Sequence, residues 1–489
     1  MGLTNALGVA QSALATVAAE TAVVSRNIAG ANNNTASFSR KIANVITAPN
    51  GGSQVASITN VQNQALFESV LGATSSSAAQ EAISTGLTAL QQTVGGTGST
   101  TSPAAQITNL TDALQQYLAS PTDSATAAST VAAASTLAST LNDASASVQQ
   151  LRAQTDSQMA SSVASINSLL SQFQAVNTQI VSGTASGSDV TDLLDSRNSI
   201  LTQLSQQVGI STTSGANNNM SIYTDSGVTL FQGGQARSVT FQATSTYTAG
   251  TAGNAVYIDG VPVTGSSATM PIQSGALAGL ANLRDNITVT YQAQLDQTAQ
   301  GLISAFAETN PSPPSNVLAG LFTNGGSTAV PAAGVNAGLA AAITVNAAVD
   351  PSQGGTATLL GNGINFNYNT TNAASFTTQL QQLETNLSAN QTFNAAGQIG
   401  ISNSVAGYAT NSASWLETQR QSASSESTYQ STLLSSSTTA LSNATGVNLD
   451  EEMSHMLDLE NSYSASAKLL STINTMFSDL NASINPMLA

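Results

Sequence analysis

Side chains able to do acid–base or metal chemistry crowd together in one place in this chain, Asp450-Glu451-Glu452, followed by His455 and Asp458. Glu452 and His455 stand three apart, the spacing by which di-iron helix bundles present a carboxylate and an imidazole from one helix. Such a site draws matching pairs from other helices, and His455 is the only histidine in the sequence. A Ser–His–Asp triad has the same single candidate base, on a helix that reads as structural. Acidic residues in the first turn of a helix are expected from its dipole alone, so the cluster reads as a cap. Asp192, Asp195 and Arg197 share another helix. Asp192 and Arg197 are not an i,i+4 pair, which leaves a solvated face or a bridge to a second helix. Gly325-Gly326, Gly354-Gly355 and Gly361-x-Gly363 lack the strand and lysine that flank a phosphate loop, and read as turns. No catalytic, cofactor-binding or metal site is expected, and no cofactor.

Composition points the same way. There is no cysteine, and 7% of the residues are charged, with a net charge of −16. Lysine stands only at Lys41 and Lys468. Proteins that hold nucleic acid do so by neutralising phosphates with Lys and Arg, so DNA, RNA and anionic lipid surfaces would repel this chain. At 489 residues and 41% hydrophobic it can build two or three cores, and it is not an acidic disordered tail. Ser, Thr, Asn, Gln and Ala take the place of charge and suit close, wet contacts between identical subunits. Lack of cysteine fits a chain that crosses membranes unfolded. Residues 1–25 carry no Lys or Arg, and polar residues interrupt their apolar run, so no cleavable secretory signal is read there. An uninterrupted apolar stretch of about 18 residues is missing throughout, so no membrane-spanning helix is expected.

The elements that position these residues are mainly helices. Leu3, Leu7, Ala10, Leu14, Val17, Thr21, Val24 and Ile28 alternate at steps of four and three, the seam of a coiled coil over 3–29. Residues 40–72 read as extended or loop, with a turn at Pro49-Asn50-Gly51-Gly52. Residues 76–182 read as helix, broken at Gly95-Gly96-Thr97-Gly98 and at Ser120-Pro121. Asp189 or Thr191 can cap a helix over 192–208. A period of two takes over at 219–264, with a hairpin turning at Asp259-Gly260. Helix returns at 275–309 and again at about 375–441. Residues 310–375 are Gly, Asn and Pro rich with weak strand signals only.

The last segment has the sharpest pattern. Leu449, Met456, Tyr463, Leu470, Phe477 and Ile484 recur every seven residues, beside a parallel row of Leu459, Ile473, Leu480 and Met487. Asn448 is placed to cap this helix, with Glu451 at the third position of a capping box. Both ends are therefore amphipathic helices whose seams make the candidate assembly interface: Leu3, Leu7, Leu14, Val17, Val24 and Ile28 with the six-residue row of the last helix.

At this point the residues resemble a family. Gly446-Val447-Asn448-Leu449-Asp450-Glu451-Glu452-Met453, followed by a helix through Tyr463 to Phe477, is similar to the C-terminus of flagellar rod, hook and hook-associated proteins. Arg26-Asn27-Ile28-Ala29 and Ser37-Phe38-Ser39-Arg40 resemble their N-terminal signature, with Ser37 and Phe38 where Gly and Tyr are usual. Three internal stretches (Leu193–Leu204, Met220–Val239 and Ser274–Leu280) narrow the resemblance to the hook-associated protein 1 family. The resemblance implies a structural subunit of the bacterial flagellum at the hook–filament junction, exported through the flagellar channel and assembled outside the cell. Its implied partners are further copies of itself, hook protein, hook-associated protein 3, and an export chaperone on the C-terminal helix. The rival readings are another axial subunit, such as hook-associated protein 3 or flagellin, and a secreted helical adhesin or effector.

The expected fold is mainly α with a smaller β section. Residues 1–45 and 446–489 would form a terminal coiled-coil domain. Residues 46–445 would form an elongated helical domain with its β section at about 219–264 and a reduced outer excursion at about 311–375.

Overall fold

A computed structural model describes residues 2–31, 38–49 and 51–484. Ile484 is described in backbone only, and Asn32-Asn33-Asn34, Ser37 and Met487 lie outside the described residues. The first helix, α1, spans Leu3–Gly30. Two antiparallel strands follow, β1 (Lys41–Thr47) and β2 (Ser53–Asn60), closing near Gly51, which has φ +83°. Helix α2 (Gln64–Val94) starts where an extended segment to residue 72 was expected. The Asn63 side chain caps it through Leu66 N–H, a device that the weak apolar period of residues 64–72 does not reveal.

The two breaks expected in the next helical stretch separate α2 from α3 (Pro103–Ala119) and α3 from α4 (Ser124–Ser186). Ser102 caps α3 with Pro103 behind it, and Asp123 caps α4. Gly187 ends α4 in the left-handed conformation, φ +73°. With 63 residues, α4 is about 94 Å long and runs through the whole central domain. Helix α5 spans Thr191–Gln207.

The β section is a four-stranded antiparallel meander, β3 (Ile210–Ser214), β4 (Met220–Thr224), β5 (Thr229–Gln232) and β6 (Gln235–Ala236). A smaller sheet follows: β7 (Val239–Thr240), β8 (Tyr257–Ile258) and β9 (Val261–Pro262). Its hairpin turns at Asp259-Gly260, both at positive φ (+50° and +82°), the conformation of a primed two-residue turn.

Helices α6 (Ala276–Asn282) and α7 (Thr288–Ala305) are joined by a π turn at Leu283–Ile287. Two one-turn helices, α8 (Leu339–Ala342) and α9 (Leu359–Asn362), lie within the Gly-rich stretch, and α10 spans Thr378–Ser388. The helical block expected from 375 to 441 is broken at 389–404 by two short strands and a 3-10 turn before α11 (Val405–Thr445). Asn394 and Ser404 each bind the following backbone N–H groups with their side chains, which starts new turns where a continuous helix was expected. The chain ends in α12, Leu449–Ile484.

Two apolar clusters hold the central domain. One packs Leu87, Leu90, Leu110, Leu141 and Val148 against α7 and the start of α11. Residues from the Gly-rich stretch, Leu321, Phe322, Leu339, Ile343 and Leu360, enter this same cluster and build no core of their own. The other cluster packs Phe67, Ile166, Phe173 and Leu204 against the meander residues Ile222, Leu230 and Phe231. Where α6 crosses α2, a Cβ at Gly279 would lie 2.2 Å from the Ala79 carbonyl, so only glycine permits that approach.

A buried charge centre sits between the clusters. Asp156 of α4 accepts from Arg284 of the π turn at 2.5 Å and from the Tyr247 hydroxyl at 2.9 Å. The Arg152 guanidinium, 4.6 Å from the centroid of the Tyr247 ring, donates to the carbonyls of Thr248 and Thr251. The loop between β7 and β8 is thereby fixed to the long helix by charge-assisted bonds, in addition to the burial of Val256 in the second cluster.

Helix α1 is long and apolar enough, by length and composition, to cross a membrane, against the expectation that no segment would be. Polar residues break its apolar run, yet its mean hydropathy stays high. Its Val17 and Val24 are packed on α12.

Candidate assembly interface: the terminal helix pair and its clasp

Helices α1 and α12 lie side by side, the terminal pairing that the two seams predict. Their shared core is small: Val17, Val24 and Leu459 are buried, with Ile28 and Met456 packed against them. The α1 seam otherwise stays half covered, at Leu3, Leu7, Leu14 and Thr21. The seven-residue row of α12 divides. Met456, Leu470 and Phe477 are half-buried, while Leu449 and Tyr463 face solvent. The parallel row is the deeper one, with Leu459 and Ile473 buried. The face of α12 turned inward is therefore centred between the two rows. Leu469, Tyr463, Met476 and Leu480 remain 51% exposed, an apolar surface wider than α1 covers.

Glu452 heads the parallel row, seven residues before Leu459, and it is not a simple capping residue. It is 1% exposed, and its carboxylate accepts from Arg40 Nε at 2.6 Å and from Asn27 Nδ2 at 3.1 Å. Asn27 in turn donates to the Lys41 carbonyl and accepts from the Lys41 N–H, so one amide reads the backbone of β1 like a partner strand. Arg40 N–H donates to the Thr445 carbonyl at the end of α11, and its carbonyl accepts from Val61 N–H. Every segment passing between the terminal pair and the central domain is tied at this point.

The Asp192 and Asp195 pair completes the clasp from α5. Lys41 Nζ reaches Asp195 at 2.7 Å and Asp192 at 3.2 Å, and Arg26 reaches Asp189 at 3.0 Å. Burial pushes the Asp195 carboxyl above the ordinary aspartate range, and the Lys41 hydrogen bond and charge pull it back. Asp189 also caps the start of α5 through Thr191 N–H. Of the two readings open for Asp192 and Asp195, the bridge is the one found, to β1 and α1. Arg197 takes no part and turns to the Asn218 carbonyl.

The remaining motif residues have plainer places. Gly446 ends α11, where a Cβ would lie 2.4 Å from the Ser442 carbonyl. Asn448 Oδ1 accepts from Asp450 N–H at 3.1 Å. Val447 is half-buried, and Asp450, Glu451, Met453 and His455 are exposed. Among the described residues no three of His, Cys, Asp and Glu are grouped to hold a metal ion. Sequence reasoning missed Lys41 and the roles of Asn27 and Glu452. One signal was available: a lone acid at the head of a seven-residue row that is otherwise apolar except at Ser466.

If Glu452 fixes α12 to α1, then Glu452→Gln leaves the middle folded and loosens the end. Limited proteolysis of the purified variant is expected to cut near residues 446–453 at least about tenfold faster than in the parent, on a scale of about 2 kcal/mol for a charged hydrogen bond. Equal cutting rates would show that the clasp does not hold the helix.

Comparison with known proteins finds two family matches in this chain. Residues 87–312 match the family of the flagellar hook-associated protein FlgK helical domain, from the second half of α2 through α7. Residues 440–483 match the family of the flagellar basal body rod FlgEFG protein C-terminal region, which includes Glu452 and most of α12. The sequence matches no curated protein. The solved structure of the flagellar hook junction protein FlgK from Burkholderia pseudomallei is similar, with a TM-score of 0.43 and 24% identity over 53% of this chain and 47% of that one. The chain thus spans about half the length of that protein.

Proposed function

We propose a junction role for this chain, which belongs to the flagellar hook-associated proteins of the FlgK type. It is an axial structural subunit that joins hook to filament, assembling through its terminal helices. The observation that carries this reading is the apolar face of α12 that α1 leaves uncovered, at Tyr463, Leu469, Met476 and Leu480. A helix so exposed in the single chain calls for partners on a second side, and a tube of copies supplies them. Residues 1–45 and 446–489 act as one terminal unit, and the central domain between them carries the outer surface. Hook protein on one side and hook-associated protein 3 on the other are the neighbours that this role requires. An export chaperone would cover the C-terminal helix before assembly. The reading is tested by electron microscopy of a strain lacking this chain. Bare hooks, with filament protein shed into the medium, are the expected result. Normal filaments on those hooks would overturn the role.

A further inference from the structure

Buried arginines in this protein carry their own compensation, with one exception. Arg284 meets Asp156 and Asp285. Arg152 is surrounded by carbonyls and an aromatic ring. Arg197, 6% exposed on α5, has no carboxylate within ion-pair distance among the described residues. Its one hydrogen bond runs from Nη1 to the Asn218 carbonyl at 2.6 Å, and its Nε is shut off from solvent with no partner. Burial alone drags its pKa down to about 10. A guanidinium in that condition is strongly destabilised unless something negative lies against it.

The space for such a group exists. Arg197 lines a cavity of about 30 Å³ together with Ser39, Gln62, Asn63, Asn198 and Thr445. That volume is about twice the least that can hold a single water, enough for one small anion. The wall is mixed: Phe67, Met220 and Leu441 close part of it, the Thr445 hydroxyl is committed to the Leu441 carbonyl, and Ser39, Gln62, Asn63 and Asn198 carry side-chain donors beside the one cation. Its position is also particular. Ser39 precedes β1, Gln62 and Asn63 lead into α2, and Thr445 ends α11, so the three crossing segments of the clasp all contribute to it.

We propose that this cavity is an anion site, taking a monovalent anion of the size of chloride or a single carboxylate group. Arg197 supplies the charge and the crossing segments supply the neutral donors. Occupancy draws those segments together and stiffens the joint between terminal pair and central domain. Supply can come from dissolved ions or from an acidic side chain of a neighbouring molecule, and both present the same chemistry.

The test uses the full chain and three sodium salts at equal concentration: chloride, formate, and isethionate, whose sulfonate head is larger than a chloride or a carboxylate. Melting of the parent is expected about 2 °C higher in 100 mM chloride or formate than in isethionate, the shift for a millimolar site. Arg197→Gln is expected to lose the difference, and Arg197→Lys, which keeps the charge, to retain part of it. A gain in both salts marks an ion site, and a gain in formate alone marks a seat for a carboxylate side chain. Should Arg197→Gln not fold, crystals of the parent grown in bromide decide the matter by an anomalous peak beside Arg197. Equal melting in all three salts overturns the site, as does the absence of a bromide peak where chloride had raised the melting point, and either result leaves a water-filled cavity.

Discussion

Replacing Leu469 and Met476 together by Asp is expected to abolish filament growth beyond the hook while the purified subunit folds as before. Both side chains are 51% exposed in the single chain, so charge placed there meets water and costs the fold little. In an assembled tube the same positions would be closed off, and each unpaired carboxylate would cost several kcal/mol. Loss of assembly with unchanged melting therefore reports on contacts between molecules. Ser471→Asp, on another face of α12, is the control and is expected to swim nearly normally. The double variant Leu470→Asp/Phe477→Asp is expected to fail as well. Its residues are half-buried against α1, so it breaks the internal pair in addition. The measurement is motility and electron microscopy after expression in a strain lacking the chain. Normal filaments with the Leu469/Met476 variant would remove the outer face of α12 from the assembly surface.

The second large effect lies in the central domain. Arg284→Met keeps the length and packing of the side chain but strands Asp156, whose carboxylate is buried and loses its cationic partner. Breaking one side of a buried ion pair costs about 3–5 kcal/mol. A fall in the melting temperature of the central domain on the order of 5 °C or more is expected. The Tyr247 hydroxyl still donates to Asp156, which keeps the loss finite. Adding Asp156→Asn removes the stranded charge, and the double variant is expected to melt above Arg284→Met alone. Calorimetry decides it: a melting point within about 1 °C of the parent would show that the pair contributes nothing net, as continuum arguments allow for some buried pairs.

The two changes act on different links of the same design. The charge centre at Asp156 and Arg284 holds the β loop on α4 and keeps the central domain in one piece. The clasp at Glu452 then sets the terminal pair on that domain, and the outer face of α12 is what the resulting orientation presents to neighbours. A defect at the first link lowers stability, at the second frees the ends, and at the third leaves a sound subunit that cannot assemble.

The sequence by itself determined the elements whose cause is local. Heptad spacing from Leu3 to Ile28 and from Leu449 onward made two helices, and Gly95–Gly98 and Ser120-Pro121 set the breaks between α2, α3 and α4. Alternation in Met220–Phe231 and the Asp259-Gly260 turn gave the strands, because side-chain period and turn geometry act over a few residues. The scarcity of histidine and the lack of cysteine were equally legible, and so was the motif around Gly446–Met453. What only the tertiary structure decided concerns groups far apart in the chain. Glu452 looked like a cap because its partners, Asn27 and Arg40, lie more than 400 residues away. Asp195 reaches across 154 residues to Lys41, and Arg284 across 128 to Asp156. Which row of α12 turns inward was likewise undecided, since Leu459 of one row and Leu449 of the other are the same residue type and differ in burial, 6% against 38% exposed. Periodicity names the stripe on a helix. The partner helix chooses how much of it to cover, and for α12 the choice leaves a face free.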